Sequence, residues 1–261
     1  MRQRGILEAL YGGAAGGGKS DALLMAALQY VDIPYFAGIL FRRTYQDLAL
    51  PGALMDRAFQ WLAGTGATWK EKDKRWIFPS GASLSFGYLE HENDKYRYQS
   101  TEFQFVGFDE LTQFTKSQYR YLFSRLRRLK TIDVPIRMFG ASNPGGPGHE
   151  WVRQDFITEG PYKERYFIPA RLDDNPHLAQ DEYRESLSKL DPITRRQLEN
   201  GDWSAKGEGT LFKAEWFKYL DQIPSAIPCV RFWDLAATEA TPGNDPDWTV
   251  GVLMGQYNGE F

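Results

Sequence analysis

The chain has 261 residues, of which 31 are basic and 34 are acidic, so its formal net charge is −3 and its pI is near 5.7. This balance excludes a polybasic protein that coats nucleic acid without specificity. Hydrophobic residues make up 42% of the chain, which excludes intrinsic disorder. The single cysteine, Cys229, cannot form an internal disulfide, and no apolar run is long enough to span a bilayer. We therefore expect a soluble protein of a reducing compartment, without an export signal.

A glycine-rich segment separates the first predicted strand, residues 6–11, from a mostly apolar predicted helix over residues 21–30. The segment fits the phosphate-loop pattern G-x-x-x-x-G-K-[ST], in which glycines let backbone N–H groups approach phosphate closely. In such a loop Lys19 bridges the β- and γ-phosphates and Ser20 places its hydroxyl on Mg²⁺. A flexible turn before a core helix is the alternative interpretation. The candidate nucleotide-binding residues here are Gly13, Gly16, Gly17, Gly18, Lys19, Ser20 and Asp21.

The elements that follow alternate between strand and helix patterns. Residues 36–41 are predicted to form a buried strand and residues 48–62 a helix, which indicates a parallel sheet covered by helices. Between residues 68 and 89 the apolar residues recur with period two on either side of Pro79-Ser80-Gly81. This pattern predicts an antiparallel hairpin appended to the sheet.

Polar residues follow the next two predicted strands. Residues 103–108 form a buried strand that ends at Asp109 and Glu110, and residues 134–139 form another that leads to Ser142 and Asn143. Ligands of open α/β sheets bind at this edge, so we assign Asp109 to Mg²⁺ and Glu110 to activation of the attacking water. A strand end that is merely solvated is the alternative. The three histidines are scattered, which favours structural or surface roles for them.

A basic helix is predicted between these two strands. Thr115 and Gln118 have the spacing of a capping box, and the residues after them place apolar side chains on one helix face. The apolar face consists of Tyr119, Leu122, Leu126 and Leu129, and the other faces carry Arg120, Arg125, Arg127 and Arg128. Of these, Arg125, Arg127 and Arg128 are candidates for contact with DNA phosphates or with neighbouring subunits, and a solvated helix face is an alternative of at least equal weight.

The last third of the chain reads as two short helices followed by two strands. The second helix opens at Asp191-Pro192 and closes at Gly201. A strand over residues 229–233 then ends at Asp234, and a second strand covers residues 248–254. The helices predict a linker, and the strands predict the start of a further domain.

Several of these motifs occur in the order seen in large terminase subunits of tailed bacteriophages, which the chain therefore resembles over nearly its whole length. They are the phosphate loop, residues 105–111, Ser124-Arg125-Leu126-Arg127, Ser142-Asn143-Pro144-Gly145-Gly146 with His149 and Trp151, Asn200-Gly201-Asp202-Trp203, and Trp233-Asp234-Leu235-Ala236. The resemblance implies an additional-strand, RecA-like P-loop ATPase that uses ATP and Mg²⁺ to move double-stranded DNA into a procapsid. It also implies a C-terminal nuclease of RNase H-like fold.

The resemblance implies roles for further residues and partners. Ser142 and Asn143 correspond to the motif that senses the γ-phosphate and links hydrolysis to movement, and a simple strand-to-turn connection is the alternative. Arg97 corresponds to an arginine that reaches a neighbouring subunit's nucleotide, and a solvated or salt-bridged surface arginine is the alternative. Arg42 and Arg43 are weaker candidates for that work. The implied partners are double-stranded DNA, further copies of the chain in a ring, the small terminase subunit and the portal of the procapsid, in the cytoplasm of the bacterial host and without a membrane.

Two departures from the family qualify this interpretation. The stretch before Gly13 is shorter than the family's usual adenine-binding element, of which Gln3 is at best a remnant. Asp234 matches the first metal-binding acid of the nuclease, with Asp245 and Asp247 nearby, but one such acid is insufficient for a two-metal site. We thus expect an ATPase domain over residues 1–171, a helical linker over 172–227 and the incomplete start of a nuclease over 228–261. A helicase- or recombination-type ATPase and a non-catalytic prophage remnant are the alternatives.

Overall fold

The computed structural model describes residues 6–160, 165–205, 227–235 and 249–255. They belong to two compact units, Met1–Lys206 and Gly207–Phe261. The predicted helical linker over residues 172–227 and its boundary at residue 171 stay predictions. Among the described residues, no helix combines the length and the apolar character that crossing a membrane requires.

The strands of the first unit match the predicted ones within a few residues. They are β1 (Glu8–Gly13), β2 (Ala37–Arg42), β3 (Thr68–Lys70), β4 (Arg75–Ile77), β5 (Ser83–Tyr88), β6 (Phe105–Asp109), β7 (Arg137–Ser142) and β8 (Arg165–Ala170). The helices are α1 (Lys19–Leu28), α2 (Tyr45–Ala49), α3 (Leu54–Leu62), α4 (Lys116–Leu122), α5 (His149–Val152), α6 (Gln180–Leu187) and α7 (Pro192–Asn200).

The eight strands form one sheet in the order β3-β4-β5-β2-β6-β7-β1-β8. The six strands from β5 to β8 in this order pair in parallel, whereas β4 pairs with β5 and β3 with β4 in antiparallel fashion. The hairpin predicted between residues 68 and 89 is therefore confirmed, and β3 extends it by one strand. The prediction of a mixed α/β fold with a large, mostly parallel sheet is also confirmed.

Both faces of the sheet are covered because alternate residues of a buried strand point in opposite directions. In β6, Phe105 packs in the cluster formed with α1 and α3, and Val106 and Phe108 pack in the cluster formed with α4 and α5. Phe108 lies at ring-centroid distances of 5.2 Å from Phe41 and 5.3 Å from Tyr119. Two layers of helix thus hold the strands in place, and the carboxyl ends of the strands remain free to carry the site.

The predicted helix over residues 48–62 is two helices. Helix α2 ends at Ala49 and α3 begins at Leu54, and Gly52 between them has φ 75°. Pro51 has no N–H to donate and disfavours helical geometry in the residue before it, so a continuous helix cannot pass this point. The capping box of α2, formed by Thr44 and Asp47, shows that the first helix has its own start.

The predicted basic helix after Thr115 is shorter than its apolar pattern indicates. Its capping box is present, but α4 ends at Leu122 and a single 3₁₀ turn follows. Leu126 instead forms a parallel bridge with Phe103, and Leu129 is 61% exposed. Placing Leu129 on the apolar face of this helix was wrong, because pairing with the start of the β6 region extends the backbone at Leu126.

The described part of the second unit is a pair of antiparallel strands, β9 (Cys229–Asp234) and β10 (Val250–Gly255). Both strands were predicted. The RNase H-like identity of this unit stays a prediction. Asp234 is the last residue of β9 and is exposed, and Asp245 and Asp247 lie outside the described residues.

We expect Leu10→Ala to destabilise the first unit by about 2–5 kcal/mol, because Leu10 is fully buried in the centre of β1 and its removal leaves a cavity. The matched control is Leu129→Ala, at an exposed position, which should change the free energy of unfolding by less than about 0.5 kcal/mol. Urea unfolding followed by circular dichroism measures both. Equal losses in the two variants would contradict the described position of β1.

Candidate functional site

Three polar segments meet at one edge of the sheet because β6, β7 and β1 are adjacent and parallel. Gly12 of β1 is in register with Ser142 of β7, and Ala141 of β7 is in register with Asp109 of β6. The phosphate-loop segment, the acidic pair and the Ser142-Asn143 segment therefore lie side by side, as the sequence predicted.

The loop between β1 and α1 needs its glycines for steric reasons. Gly13, Gly16 and Gly18 all have φ between 72° and 146°, which other residues rarely adopt. A Cβ on Gly13 would lie 2.4 Å from the carbonyl oxygen of Ala170, whereas Gly18 has open space around it. Gly18 precedes the first turn of α1, whose backbone N–H groups are the donors that favour an anion.

Lys19 is folded back into the loop. Its Nζ donates a hydrogen bond to the carbonyl oxygen of Ala14, and the residue is only 8% exposed. Burial lowers the pKa of Lys19, and the nearby carboxylates of Glu110 and Asp109 oppose this shift. The ammonium group is thus held inside the loop close to both acids.

Asp109 is buried and accepts hydrogen bonds on both carboxylate oxygens. Ser20 Oγ donates to Oδ1 at 2.9 Å, and Arg42 Nε donates to Oδ2 at 2.6 Å. A hydroxyl beside a carboxylate is a pair of hard oxygen ligands that suits Mg²⁺, an ion that takes its other ligands from water and substrate phosphates. Among the described residues, no group of three or more His, Cys, Asp or Glu side chains is placed to hold a metal ion.

Glu110 has an unusual backbone and an altered acidity. Its φ and ψ are both 55°, a left-handed conformation that is uncommon outside glycine. Burial raises the pKa of the Glu110 carboxyl, and so does the neighbouring Asp109; Arg42, Lys19 and the backbone N–H of Asn143 oppose the shift. A carboxylate with a raised pKa is a better proton acceptor, which suits a general base.

Ser142 and Asn143 occupy different surroundings. Ser142 is fully buried, and its Oγ accepts from the Thr112 backbone N–H at 3.2 Å and donates to the Asn143 carbonyl at 2.9 Å. Asn143 lines a cavity of about 210 Å³ that Glu110 and Gln197 also line. Asn143 therefore lines the cavity, whereas the Ser142 hydroxyl is buried and bonds β7 to the segment after Glu110. Thr112, its partner, was not singled out from the sequence.

The remaining arginine candidates make contacts within their own chain. Arg97 is half exposed, forms a 2.8 Å ion pair with Asp94 and lies over the Tyr88 ring. Arg42 is committed to Asp109, and Arg43 donates to the Leu89 carbonyl at 3.0 Å. The structure therefore places Arg42 in its own subunit's site, which disagrees with its assignment as a weaker candidate for reaching a neighbour.

Asp21 and the arginines after α4 make other contacts. Asp21 is in the first turn of α1, 3.6 Å from Arg57. The bridge between Phe103 and Leu126 places the segment around Leu126 beside the amino end of β6, at the edge opposite the phosphate loop. In that segment, Arg125 stacks over Tyr121, Arg127 pairs with Glu102, and Arg128 donates to the Ile132 carbonyl.

The segment after β8 contacts the phosphate loop in a way that the sequence did not indicate. Ala15 N–H donates to the Leu198 carbonyl of α7 at 2.6 Å, and Asn175 Nδ2 donates to the Gly16 carbonyl at 2.7 Å. Gly201 ends α7 with φ 65°, and a Cβ there would lie 2.5 Å from Ala14 N. The helix stop at Gly201 was predicted, but its position against the loop follows only from the tertiary fold.

An apolar groove of about 540 Å³ adjoins the phosphate loop. It lies between α1 and the β7-β1-β8 part of the sheet, and its lining includes Tyr11, Lys19, Ala22, Tyr166, Ile168 and Asp174. Tyr11 Oη donates to the Gly17 carbonyl at 3.0 Å. The groove is therefore continuous with the loop, and its lining comes from strands that are distant from one another in sequence.

Comparison with known proteins identifies the family and the fold. Residues 10–219 match the family described as terminase large subunit, T4likevirus-type, N-terminal. The comparison with curated proteins found no match.

Three of the solved structures that are similar to this chain illustrate the likeness. Two are of the large terminase from a thermophilic bacteriophage, one in complex with ADP (TM-score 0.62, 15% identity, 97% of this chain and 61% of that chain) and one with ATP-gamma-S (0.61, 15%, 97% and 60%). The third is the HK97 bacteriophage large terminase (0.52, 13%, 97% and 57%). The chain thus spans about three fifths of the terminases it matches, and at these identities the likeness establishes the fold. Together with the family match, it shows that the chain belongs to the terminase large-subunit family and has the fold of its ATPase region.

Proposed function

We propose that this chain is the ATPase of a viral DNA-packaging motor, which couples ATP hydrolysis to translocation of double-stranded DNA into a procapsid. The observation that carries the proposal is the contact between Ser20 and Asp109, with Lys19 and Glu110 beside it at one sheet edge. Family membership supports it, as do the complexes of similar terminases with ADP and ATP-gamma-S. Family membership also disfavours a helicase- or recombination-type ATPase.

In this proposal each residue of the site has a separate task. Backbone N–H groups of the loop glycines and the Lys19 ammonium bind the β- and γ-phosphates, which requires Nζ to leave the Ala14 carbonyl. Ser20 and Asp109 would hold Mg²⁺, and the ion would supply positive charge against the transferring phosphoryl group. Glu110 accepts the proton of the attacking water, and Asn143 lies beside it in the same cavity.

We place the nucleotide base in the apolar groove beside the loop. The groove has a volume typical of small-molecule sites and shares Lys19 with the phosphate loop. It offers few polar groups, of which the Tyr11 hydroxyl and the Asp174 carboxylate are two. Gln3, the candidate remnant of an adenine-binding element, lies outside the described residues.

The assembly of the motor is also part of the proposal. We propose four partners for this chain: double-stranded DNA, further copies of the chain in a ring, the small terminase subunit and the portal. The motor would work in the host cytoplasm. Arg97 is our candidate for contact with the nucleotide of a neighbouring copy. Its guanidinium is half exposed, and its described contacts are with Asp94 and Tyr88 and not with the loop or Glu110. An arginine supplied by a neighbouring subunit can accelerate phosphoryl transfer about 10³–10⁵-fold.

Lys19→Ala should abolish ATP hydrolysis and weaken ATP binding without unfolding the protein, because the ammonium group is assigned to phosphate. Phosphate release and binding of a fluorescent ATP analogue measure the two effects. Lys72→Ala, which removes an exposed lysine from a turn, is the matched control and should behave as wild type. Wild-type turnover by Lys19→Ala would remove the assignment, and binding without turnover by the unsubstituted chain would favour a non-catalytic remnant.

Glu110→Gln should retain ATP binding and lose at least about 10²-fold in turnover, because glutamine cannot accept the proton of water. Because its pKa is raised, Glu110 becomes protonated at a higher pH than an ordinary glutamate does. As the pH is lowered, hydrolysis should therefore begin to slow at this higher pH. The control is Glu185→Gln, an exposed carboxyl on α6. Single-turnover kinetics across pH checks the prediction, and unchanged turnover in Glu110→Gln would exclude this residue as the base.

Arg97→Ala should spare nucleotide binding but erase any rise of specific activity with protein concentration. Because the arginine acts on a neighbour's nucleotide, mixing Arg97→Ala with Lys19→Ala protein should restore activity that neither variant has alone. Arg120→Ala, at another exposed position, is the control and should retain the rise. Specific activity that is independent of concentration and unaffected by Arg97→Ala would return Arg97 to a surface role.

A further inference from the structure

His149 occupies a buried position that the proposed reaction does not use. It opens α5, is 8% exposed, and its Nδ1 accepts the Gly145 N–H at 2.9 Å. Trp203 stacks on the imidazole with ring centroids 5.4 Å apart and an interplanar angle of 22°. His149 and Trp203 belong to two motifs that the sequence singled out, and the fold brings these motifs into contact.

The hydrogen bond from Gly145 holds a strained turn next to the acidic pair. Gly145 and Gly146 have φ of 98° and 85°, and only Pro144 separates them from Asn143. The Asn143 backbone N–H acts on the Glu110 carboxyl and lowers its pKa. Gly146 packs against Thr112, where an added Cβ would meet the Thr112 carbonyl oxygen at 3.2 Å. A fixed acceptor at Nδ1 therefore determines where this turn, and Asn143 with it, lies.

Only one of the two ring nitrogens of His149 has a hydrogen-bond partner among the described residues. Because Nδ1 accepts a hydrogen bond, the neutral ring carries its proton on Nε2. Within the described parts of the chain, neither His149 Nε2 nor Trp203 Nε1 has a hydrogen-bond partner, although both atoms are buried. Two unpaired buried N–H groups cost stability, and a hydrocarbon ring would pack here without that cost. What an imidazole offers that such a ring lacks is the acceptor at Nδ1.

The stacking partner links this turn to the phosphate loop. Trp203 follows Gly201, which packs on Ala14, and a Cβ added to Gly12 would lie 3.0 Å from the Trp203 ring. In the same segment, the Leu198 carbonyl accepts the Ala15 N–H. The segment from Leu198 to Trp203 therefore touches both the loop that would bind phosphate and the histidine that holds the Gly145 turn.

We propose that His149 is a positioning residue for ATP hydrolysis: its Nδ1 holds the Gly145 turn so that Asn143 stays aligned with Glu110, and Trp203 fixes the imidazole plane. The proposal rests on the proposed ATPase function. His149 acts through the turn and not on the nucleotide itself.

Two substitutions separate the acceptor from the packing. The amide oxygen of His149→Asn can occupy the position of Nδ1, whereas the amide of His149→Gln reaches the position of Nε2 and leaves Gly145 N–H without an acceptor. We expect His149→Gln to lower kcat for ATP about tenfold, the size expected for one lost hydrogen bond in the transition state, with KM and affinity for a fluorescent ATP analogue within twofold of wild type. His149→Asn should restore most of kcat.

The outcomes of this comparison are distinct. Equal kcat in the Asn and Gln variants would overturn the proposal. A loss of kcat that parallels the loss in melting temperature would also overturn it, since either result indicates that His149 contributes packing alone. Trp203→Phe keeps a ring against His149 and should reduce kcat less than Trp203→Leu does; equal effects would remove the stacking part.

A second measurement needs no turnover. The chain has three histidines, so long-range ¹H–¹⁵N correlation spectra of imidazole-labelled full chain resolve each ring, and His149→Asn identifies the signal of His149. We expect the ring proton on Nε2 and not on Nδ1, because Nδ1 accepts the Gly145 N–H, and we expect the signal to shift when ATP-gamma-S and Mg²⁺ are added. A proton on Nδ1 would overturn the proposal even if the wild-type chain hydrolyses ATP. If the wild-type chain does not hydrolyse ATP, the proposed function fails, and an Nε2 signal insensitive to ATP-gamma-S overturns the positioning role as well.

Discussion

The site depends on the hydrogen bonds that satisfy the buried carboxylate of Asp109. A buried carboxylate without partners is strongly unfavourable, so both of its oxygens must be satisfied. Ser20 at the start of α1 satisfies one and Arg42 at the end of β2 satisfies the other. Three elements that are far apart in sequence are thereby joined at one point, and the phosphate loop is held against the edge of the sheet where Glu110 follows.

Close backbone packing imposes the second constraint, on the other side of the phosphate loop. A side chain at Gly13 would collide with the backbone of Ala170, and one at Gly201 would collide with the backbone of Gly13 and Ala14. The loop forms hydrogen bonds with α7 and with Asn175, so the segment after β8 packs directly against the loop. A movement of the phosphate loop on nucleotide binding would therefore reach α7 directly, without an intervening hinge.

Sequence patterns failed where tertiary contacts override local preference. Leu129 fits the apolar face of a helix, but the helix ends at Leu122 because the residues after it pair with the chain before β6. Ser142 and Asn143 look equivalent in sequence, yet only Asn143 lines the cavity with Glu110. Arg42 was a weaker candidate for reaching a neighbouring subunit's nucleotide, and it pairs with Asp109 of its own chain. In each case a long-range contact, which no periodicity reports, decides the outcome.

The sequence by itself determined the order of strands and helices, the phosphate loop before α1, and the position of Asp109 and Glu110 at a strand end. These features are local, because glycine conformation, capping and alternation of apolar residues act over a few neighbouring residues. Only the tertiary structure decided which strands are adjacent, and with them the Asp109 ion pair, the contact of α7 with the loop and the stacking of Trp203 on His149. Such contacts join residues tens of positions apart, and they form because parallel pairing and burial on both faces of the sheet select one arrangement of the elements.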